Sequence, residues 1–130
     1  MSEAKRIAAY LTLAGEEVAA ARLLARAQPR QAAYFCQQAV EKVARAVLAS
    51  MAIPFGVSHN LGQMAAALPV GHPWRGRITV FDRLSPASAS TRYPTPAGRL
   101  APAPDADEVA EDVVAIEALL AVAREELGAE

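Results

Sequence analysis

Cysteine, aromatic residues and long apolar runs are all scarce in this sequence. A single cysteine, Cys36, excludes an internal disulfide framework and suits a reducing compartment. No uncharged apolar run approaches the roughly 18 residues that a membrane-spanning helix needs, and polar residues interrupt the apolar ones near the N-terminus. We therefore expect no membrane span and no signal peptide, and we predict a cytoplasmic protein.

An excess of charge of one sign is also missing. The 13 basic and 14 acidic residues leave a formal net charge of −1, which excludes a general attraction of the whole chain to nucleic acid. Arg75, Arg77 and Arg83 form a small basic cluster that leaves a local contact with RNA open. The sequence has no glycine-rich phosphate loop, no Cys/His metal spacing and no paired-carboxylate motif. We expect neither a metal nor a cofactor.

Alanine is abundant and makes up roughly a quarter of the 130 residues. It is the best helix former and contributes little to sheets. Apolar side chains recur at three- and four-residue steps, as in amphipathic helices, over residues 3–27, 30–51 and 106–127. We expect these three helices to form the core and to bury the following side chains: Ile7, Leu11, Val18, Val43, Val47, Val113, Ile116 and Leu120.

The part of the chain between the second and the last long helix is predicted to hold two shorter helices and a loop. Asn60 followed by Gln63 matches a capping box and predicts a helix over residues 61–68. Residues 75–84 favour a short helix, because a lone strand would have no partner. Five prolines within residues 85–104 predict a long loop without regular structure.

These elements together predict a single all-α domain over residues 1–130. The connection between the first two long helices is very short, so we expect them to be antiparallel neighbours. The expected architecture is an up-and-down bundle of about five helices.

Three motifs carry a resemblance to a known family. Residues 33–42, with the sequence AYFCQQAVEK, lie on the second long helix, His59-Asn60-Leu61 begins the third, and Arg92-Tyr93-Pro94 lies in the proline-rich loop. In this order and at these separations they resemble the HEPN domain (higher eukaryotes and prokaryotes nucleotide-binding), and the chain is similar to the stand-alone bacterial and archaeal members. The resemblance implies a bundle of about five helices, often dimeric and often encoded beside a small nucleotidyltransferase.

The resemblance also implies two kinds of activity in the family. Some members bind nucleotides, and others are ribonuclease toxins that use an arginine and a later histidine with four to six residues between them. His59 and His72 are the only histidines, and residues 52–54 and 65–67, where that arginine would lie, hold none. We therefore predict no catalytic residue of this kind.

Arg92, Tyr93 and His59 are the candidate ligand-binding residues, with Gln38 and Glu41 beside them. The arginine fork pairs with phosphate, the tyrosine ring can stack on a base, and a histidine near neutrality can contact phosphate or carry a proton. We expect the three to lie close together, where the start of the third helix could add backbone donors for an anion.

Each candidate also has an interpretation without a ligand. Arg92 can pair with a carboxylate while Tyr93 closes the end of the bundle, and His59 can cap or pack. The face of the second helix that carries Gln38 and Glu41, together with Tyr34 and Arg45, is ordinarily a solvated one. Cys36 is most simply a small buried apolar residue.

Three hypotheses for function follow. The first is a nucleotide- or RNA-binding module that acts as partner of a small nucleotidyltransferase, in a toxin–antitoxin-like pair. The second is a degenerate metal-free ribonuclease built from His59, Arg92 and Tyr93, and the third is a purely structural or antidote-like subunit. A mean hydropathy of +0.15 adds to the resemblance in predicting a homodimer.

Overall fold

The computed structural model describes residues 3–128, and all regular secondary structure within that range is helical. The six helices are α1 (Glu3–Leu24), α2 (Pro29–Ser50), α3 (Leu61–Ala66), α4 (Pro73–Thr79), α5 (Ala87–Ser90) and α6 (Ala106–Glu126). A single 3₁₀ turn, Asp82–Leu84, follows α4. The all-α prediction is confirmed, and the count exceeds the expected five because α5 forms inside the predicted loop.

A tight hairpin of α1 and α2 is the largest contact in the fold. Pro29 is the first residue of α2. Its lack of an N–H costs nothing there, because the first N–H groups of a helix make no intrahelical hydrogen bond. The prediction placed the end of α1 at residue 27, but the helix ends at Leu24. The difference arises because residues 25–28 make the reversal, in which the Gln28 N–H donates to the Leu24 carbonyl at 2.7 Å.

The core lies where α6 packs against both helices of the hairpin. Of the eight side chains predicted to be buried, seven are, and Ile7 is half-buried near the N-terminal end. Alanines fill many of the α1–α2 contacts and allow the two helix axes to approach closely. Ser50, the last residue of α2, is exposed.

The shorter elements cover one side of α2. Trp74, Ile78, Phe81 and Leu84 are all buried, as the helical spacing of residues 75–84 predicted. The indole N–H of Trp74 donates to Glu126 at 3.0 Å, which ties α4 to the C-terminal end of α6. This part of the chain therefore belongs to the same core as the three long helices.

The prediction that prolines leave residues 85–104 without regular structure is wrong for the first part of the segment. The α5 helix follows Pro86 directly, because proline is tolerated at a helix start. It packs against α2 and buries Ser88. The irregular stretch therefore begins after α5, and Asp105 ends it by capping α6 through the Asp107 N–H at 2.9 Å.

The basic cluster expected at Arg75, Arg77 and Arg83 is not a free patch. Arg77 pairs with Glu126, and Arg83 makes two hydrogen bonds to the buried carboxylate of Asp112. The Arg75 side chain donates to the Ala65 carbonyl at 3.2 Å. Among residues 3–128, no helix is long and apolar enough to cross a membrane.

Candidate functional site

A buried carboxylate organises the middle of α2. Glu41 is only 4 % exposed, and its Oε1 accepts hydrogen bonds from His59 Nδ1 at 2.9 Å and from Gln37 Nε2 at 3.1 Å. Its Oε2 accepts from Arg45 Nε at 3.1 Å. The Gln38 amide lies 3.4 Å from Oε1 and donates to Gln37 at 2.6 Å. The interpretation of this helix face as a solvated one is wrong for Gln37 and Glu41, which are both buried.

The face is buried because the segment before α3 folds back over it. Arg45 donates to the backbone carbonyls of Gly56 and Ser58 at 3.1 and 3.0 Å, and Gln37 donates to the carbonyl of His59 at 3.0 Å. The side chains of α2 thus donate hydrogen bonds to backbone carbonyls that lie outside any helix. They also set the position of His59 over Glu41.

The charge state of Glu41 determines which atom of His59 is available. Burial by itself raises the pKa of Glu41, but the hydrogen bonds from His59, Gln37 and Arg45 outweigh it and hold the pKa below the ordinary value. A carboxylate only accepts hydrogen bonds, so His59 Nδ1 must carry the proton that it shares with Glu41. In the neutral imidazole, Nε2 is then an acceptor, on a side chain that is 45 % exposed.

The start of α3 has no free donors for an anion. The N–H of Leu61 donates to Ser85 Oγ at 2.9 Å, that of Gly62 to Asp82 Oδ1 at 2.8 Å, and that of Gln63 to Asn60 Oδ1 at 2.8 Å. The predicted cap by Asn60 is confirmed. The expectation that this helix start supplies backbone donors to a ligand is wrong, because the side chains of Asn60, Asp82 and Ser85 already accept from them.

A hollow of about 410 Å³ opens beside these caps. Its lining consists of His59, Asn60, Asp82, Ser85, Pro86 and Ser88. The hollow joins the segment before α3 to the start of α5. Such a volume lies within the range of small-molecule sites in proteins.

Arg92 forms a second group next to this hollow. Its guanidinium carbon lies 5.7 Å from the centre of the Tyr34 ring and 5.6 Å from that of Tyr93. Its Nε donates to the Ser88 carbonyl at 2.7 Å, while its two terminal nitrogens make no hydrogen bond or ion pair with residues 3–128. Tyr93 is 63 % exposed. The Arg92 cation beside two tyrosine rings is therefore exposed to solvent, and its terminal N–H groups are available as donors.

The comparison with protein families matches the HEPN domain over residues 8–125, nearly the whole chain. The chain belongs to the HEPN domain family. HEPN domains are helical modules related to nucleotides and RNA, and they are often dimeric. Comparisons with curated proteins and with solved structures gave no match.

The structure of this HEPN domain brings the predicted site residues together in two adjoining groups. His59, Gln38 and Glu41 belong to one hydrogen-bonded network, and Arg92 stacks with Tyr93 in the other. Tyr34, the ring partner of Arg92, lies one helical turn before Gln38 on α2, and Ser88 links Arg92 to the hollow. We find no direct contact between Arg92 and His59 within the described range.

Sequence analysis of this HEPN domain did not identify Asp82, Ser85 or Ser88 as part of the site. The Asn60–Gln63 pattern marked where α3 begins, but no local signal shows that acceptors 20 and 24 residues away would cap it. The interpretation of Cys36 as a buried apolar residue is confirmed. The thiol is inaccessible, and burial, followed by the negative charge of Asp112, raises its pKa to about 12.

Proposed function

We propose that this HEPN domain binds a nucleotide or an RNA end through Arg92, Tyr93 and His59, and that it acts as partner of a small nucleotidyltransferase. The observation that carries the binding proposal is the Arg92 guanidinium beside the rings of Tyr34 and Tyr93, whose two terminal nitrogens have no partner within residues 3–128. Its planar fork suits the two oxygens of a phosphate, and an exposed tyrosine ring suits a base.

The state of the other arginines makes Arg92 distinctive. Six of them form ion pairs with carboxylates, which leaves them little charge to offer a phosphate: Arg6, Arg22, Arg26, Arg45, Arg77 and Arg83. Arg30 and Arg75 donate to backbone carbonyls instead. Arg92 combines a free fork with aromatic neighbours, and that combination favours nucleotide binding over a purely structural role.

His59 and the α2 side chains have different parts in the proposal. His59 is exposed enough to contact a ligand, whereas Glu41 is not, so Glu41 acts by holding His59 in one tautomer. Gln38 supports the same network through Gln37. We therefore assign Glu41 and Gln38 as positioning residues, and Arg92, Tyr93 and His59 as contact residues.

Calorimetric titration with nucleotides and short RNAs tests the binding proposal. Loss of one charge-assisted phosphate contact is expected to weaken binding by about 10- to 100-fold in Arg92→Ala. Arg99→Ala is the matched control, because Arg99 lies in the same irregular region, is exposed and loses the same charge. Absence of binding by the wild type, or equal binding by wild type and folded Arg92→Ala, would contradict the proposal.

The partnership with a nucleotidyltransferase rests on the family and on the motifs of residues 33–42, His59-Asn60-Leu61 and Arg92-Tyr93-Pro94. The neighbouring gene is expected to encode a small nucleotidyltransferase, and co-expression of the two proteins is expected to yield one complex in size-exclusion chromatography. Separate elution of the two proteins at micromolar concentration would overturn this part of the proposal while leaving nucleotide binding intact.

A second candidate function is a degenerate metal-free ribonuclease. The Glu41–His59 pair favours it, because a carboxylate that orients Nδ1 leaves Nε2 able to accept a proton. The expected result is slow RNA cleavage in the presence of a chelator that disappears in His59→Gln and persists in His72→Gln. Equal residual cleavage in both variants would assign the activity to a contaminant.

A further inference from the structure

Two polar groups that line the hollow beside α3 have no hydrogen-bond partner within residues 3–128. Ser88 is only 7 % exposed, and its hydroxyl makes no hydrogen bond within residues 3–128 although it lies in the lining. Asp82 uses Oδ1 to accept from Gly62 N–H and from the Ser85 hydroxyl at 2.8 and 3.0 Å. In the same described range, Asp82 Oδ2 takes no hydrogen bond. Both groups therefore remain open to the hollow, where a polar ligand could bind them.

We propose that this hollow receives the nucleobase of the bound nucleotide and that Asp82 selects bases that carry an exocyclic amino group, such as adenine and cytosine. The inference rests on the proposed nucleotide binding and goes beyond it by stating which end of the ligand enters the hollow. In this arrangement the phosphate binds outside, at Arg92.

The lining determines which chemical group fits. A carboxylate accepts hydrogen bonds and never donates them, so Asp82 Oδ2 pairs with an amino N–H and is repelled by a carbonyl oxygen. The Ser88 hydroxyl can donate to the neighbouring ring nitrogen of such a base. The rings of Pro86 and His59, which also line the hollow, offer surfaces for the flat faces of a base.

The same lining keeps the phosphate out. The backbone donors at the start of α3 are all engaged, and the negative charge of Asp82 repels a second anion. Arg92 does not line the hollow, but it is tied to it, because its Nε donates to the carbonyl of Ser88, a lining residue. A nucleotide whose base lies beside Ser88 therefore directs its phosphate toward Arg92. The two terminal nitrogens of Arg92 have no partner within residues 3–128.

Two pairs of nucleotides test the selection directly. AMP and IMP differ by an amino group against a carbonyl on the same ring, and CMP and UMP differ in the same way. Calorimetric titration of the wild type is expected to show about tenfold tighter binding of AMP than IMP, and of CMP than UMP.

Asp82→Asn is the decisive variant. Its amide oxygen can still accept from Gly62 and Ser85, while its amide nitrogen presents a donor where Oδ2 was an acceptor. We expect the preference to reverse, with IMP bound more tightly than AMP. Asp107→Asn is the matched control, because it removes one carboxylate that does not line the hollow and should leave the preference unchanged. Should Asp82→Asn fail to fold, Ser88→Ala serves in its place and is expected to weaken AMP binding several-fold.

The outcomes separate this inference from the function on which it rests. Equal affinity for AMP and IMP in the wild type, together with weaker binding in Arg92→Ala, would overturn the base site and leave the nucleotide-binding function standing. An unchanged preference in folded Asp82→Asn would also overturn it. No binding of any of the four nucleotides or of RNA would overturn both.

Discussion

Glu41 is a charged group held away from solvent, and its free energy depends on the donors around it. Four side-chain nitrogens lie within hydrogen-bond distance of its two oxygens, from Gln37, Gln38, Arg45 and His59. A buried carboxylate with several donors is stable, whereas neutralising it weakens each of these hydrogen bonds, and an amide in its place presents N–H to one of the donors. The single residue thus connects α2, the segment before α3 and the exposed imidazole.

The expected effect of Glu41→Gln is a loss of about 1–3 kcal/mol in the free energy of unfolding at pH 7. The folded pKa of Glu41 lies below its ordinary 4.5, so its contribution is complete above that value and is lost as the pH falls through the folded pKa. Urea denaturation of wild type and variant should therefore differ at pH 7 and converge in strong acid. Glu111→Gln, at an exposed position on α6, is the control; a difference that persists unchanged to pH 2.5 would contradict this assignment.

The α3 element depends on a glycine that the sequence pattern does not explain. A Cβ at Gly62 would lie 2.9 Å from the carboxylate atoms of Asp82, closer than a real contact allows. The carboxylate would have to leave the Gly62 and Ser85 contacts that hold it at the start of α3.

We expect Gly62→Ala to destabilise the fold by about 0.5–2 kcal/mol, the usual cost of a lost helix cap. Gly76→Ala is the matched control, because a Cβ there meets nothing within 4 Å and alanine is the better helix former. Thermal unfolding of both variants measures the difference. Equal melting temperatures would show that Asp82 can move at no cost.

The α6 element shows the difference between a core face and an outer face on one helix. Ile116 is fully buried, whereas Val114, two residues earlier, is 60 % exposed. Ile116→Ala is expected to cost about 2–5 kcal/mol through lost burial and a residual cavity. Val114→Ala should stay within about 0.5 kcal/mol of the wild type. Chemical denaturation that found the two costs equal would place the wrong face of α6 in the core.

At the scale of the whole molecule, apolar side chains also lie on the outside of the long helices. Leu13 and Leu23 are 42 % and 83 % exposed on α1, and Val114 and Val122 are 60 % and 36 % exposed on α6. Apolar groups in such number on the outer faces favour association. They join the family and the mean hydropathy as reasons to expect a homodimer.

Light scattering at high micromolar concentration checks the assembly. We expect a mass near twice 13.7 kDa for the chain without a partner, with the isologous two-fold contact that is usual in homodimers. A mass of one chain across that concentration range would contradict the prediction, and the exposed leucines and valines would then be ordinary surface.

The sequence by itself determined the three long helices and the faces they bury. The periodicity of residues such as Leu11, Val43 and Ile116 is a local property, and a helix with one apolar stripe has only one way to remove it from water. The family resemblance was equally accessible, because its motifs are short and contiguous. The candidate contact residues Arg92, Tyr93 and His59 were named from those motifs, and their role in binding stays a prediction.

Only the tertiary structure decided how the site is built. Hydrogen bonds between segments distant in the sequence depend on the path of the chain, and no spacing rule encodes that path. Thus Glu41 is buried because Arg45 and Gln37 draw the segment before α3 over it, and α3 is capped by Asp82 and Ser85 from the 3₁₀ turn and its end. The proline pattern likewise did not predict α5. The packing of α5 against α2 places Ser88 in the hollow, and Arg92 donates to the Ser88 carbonyl.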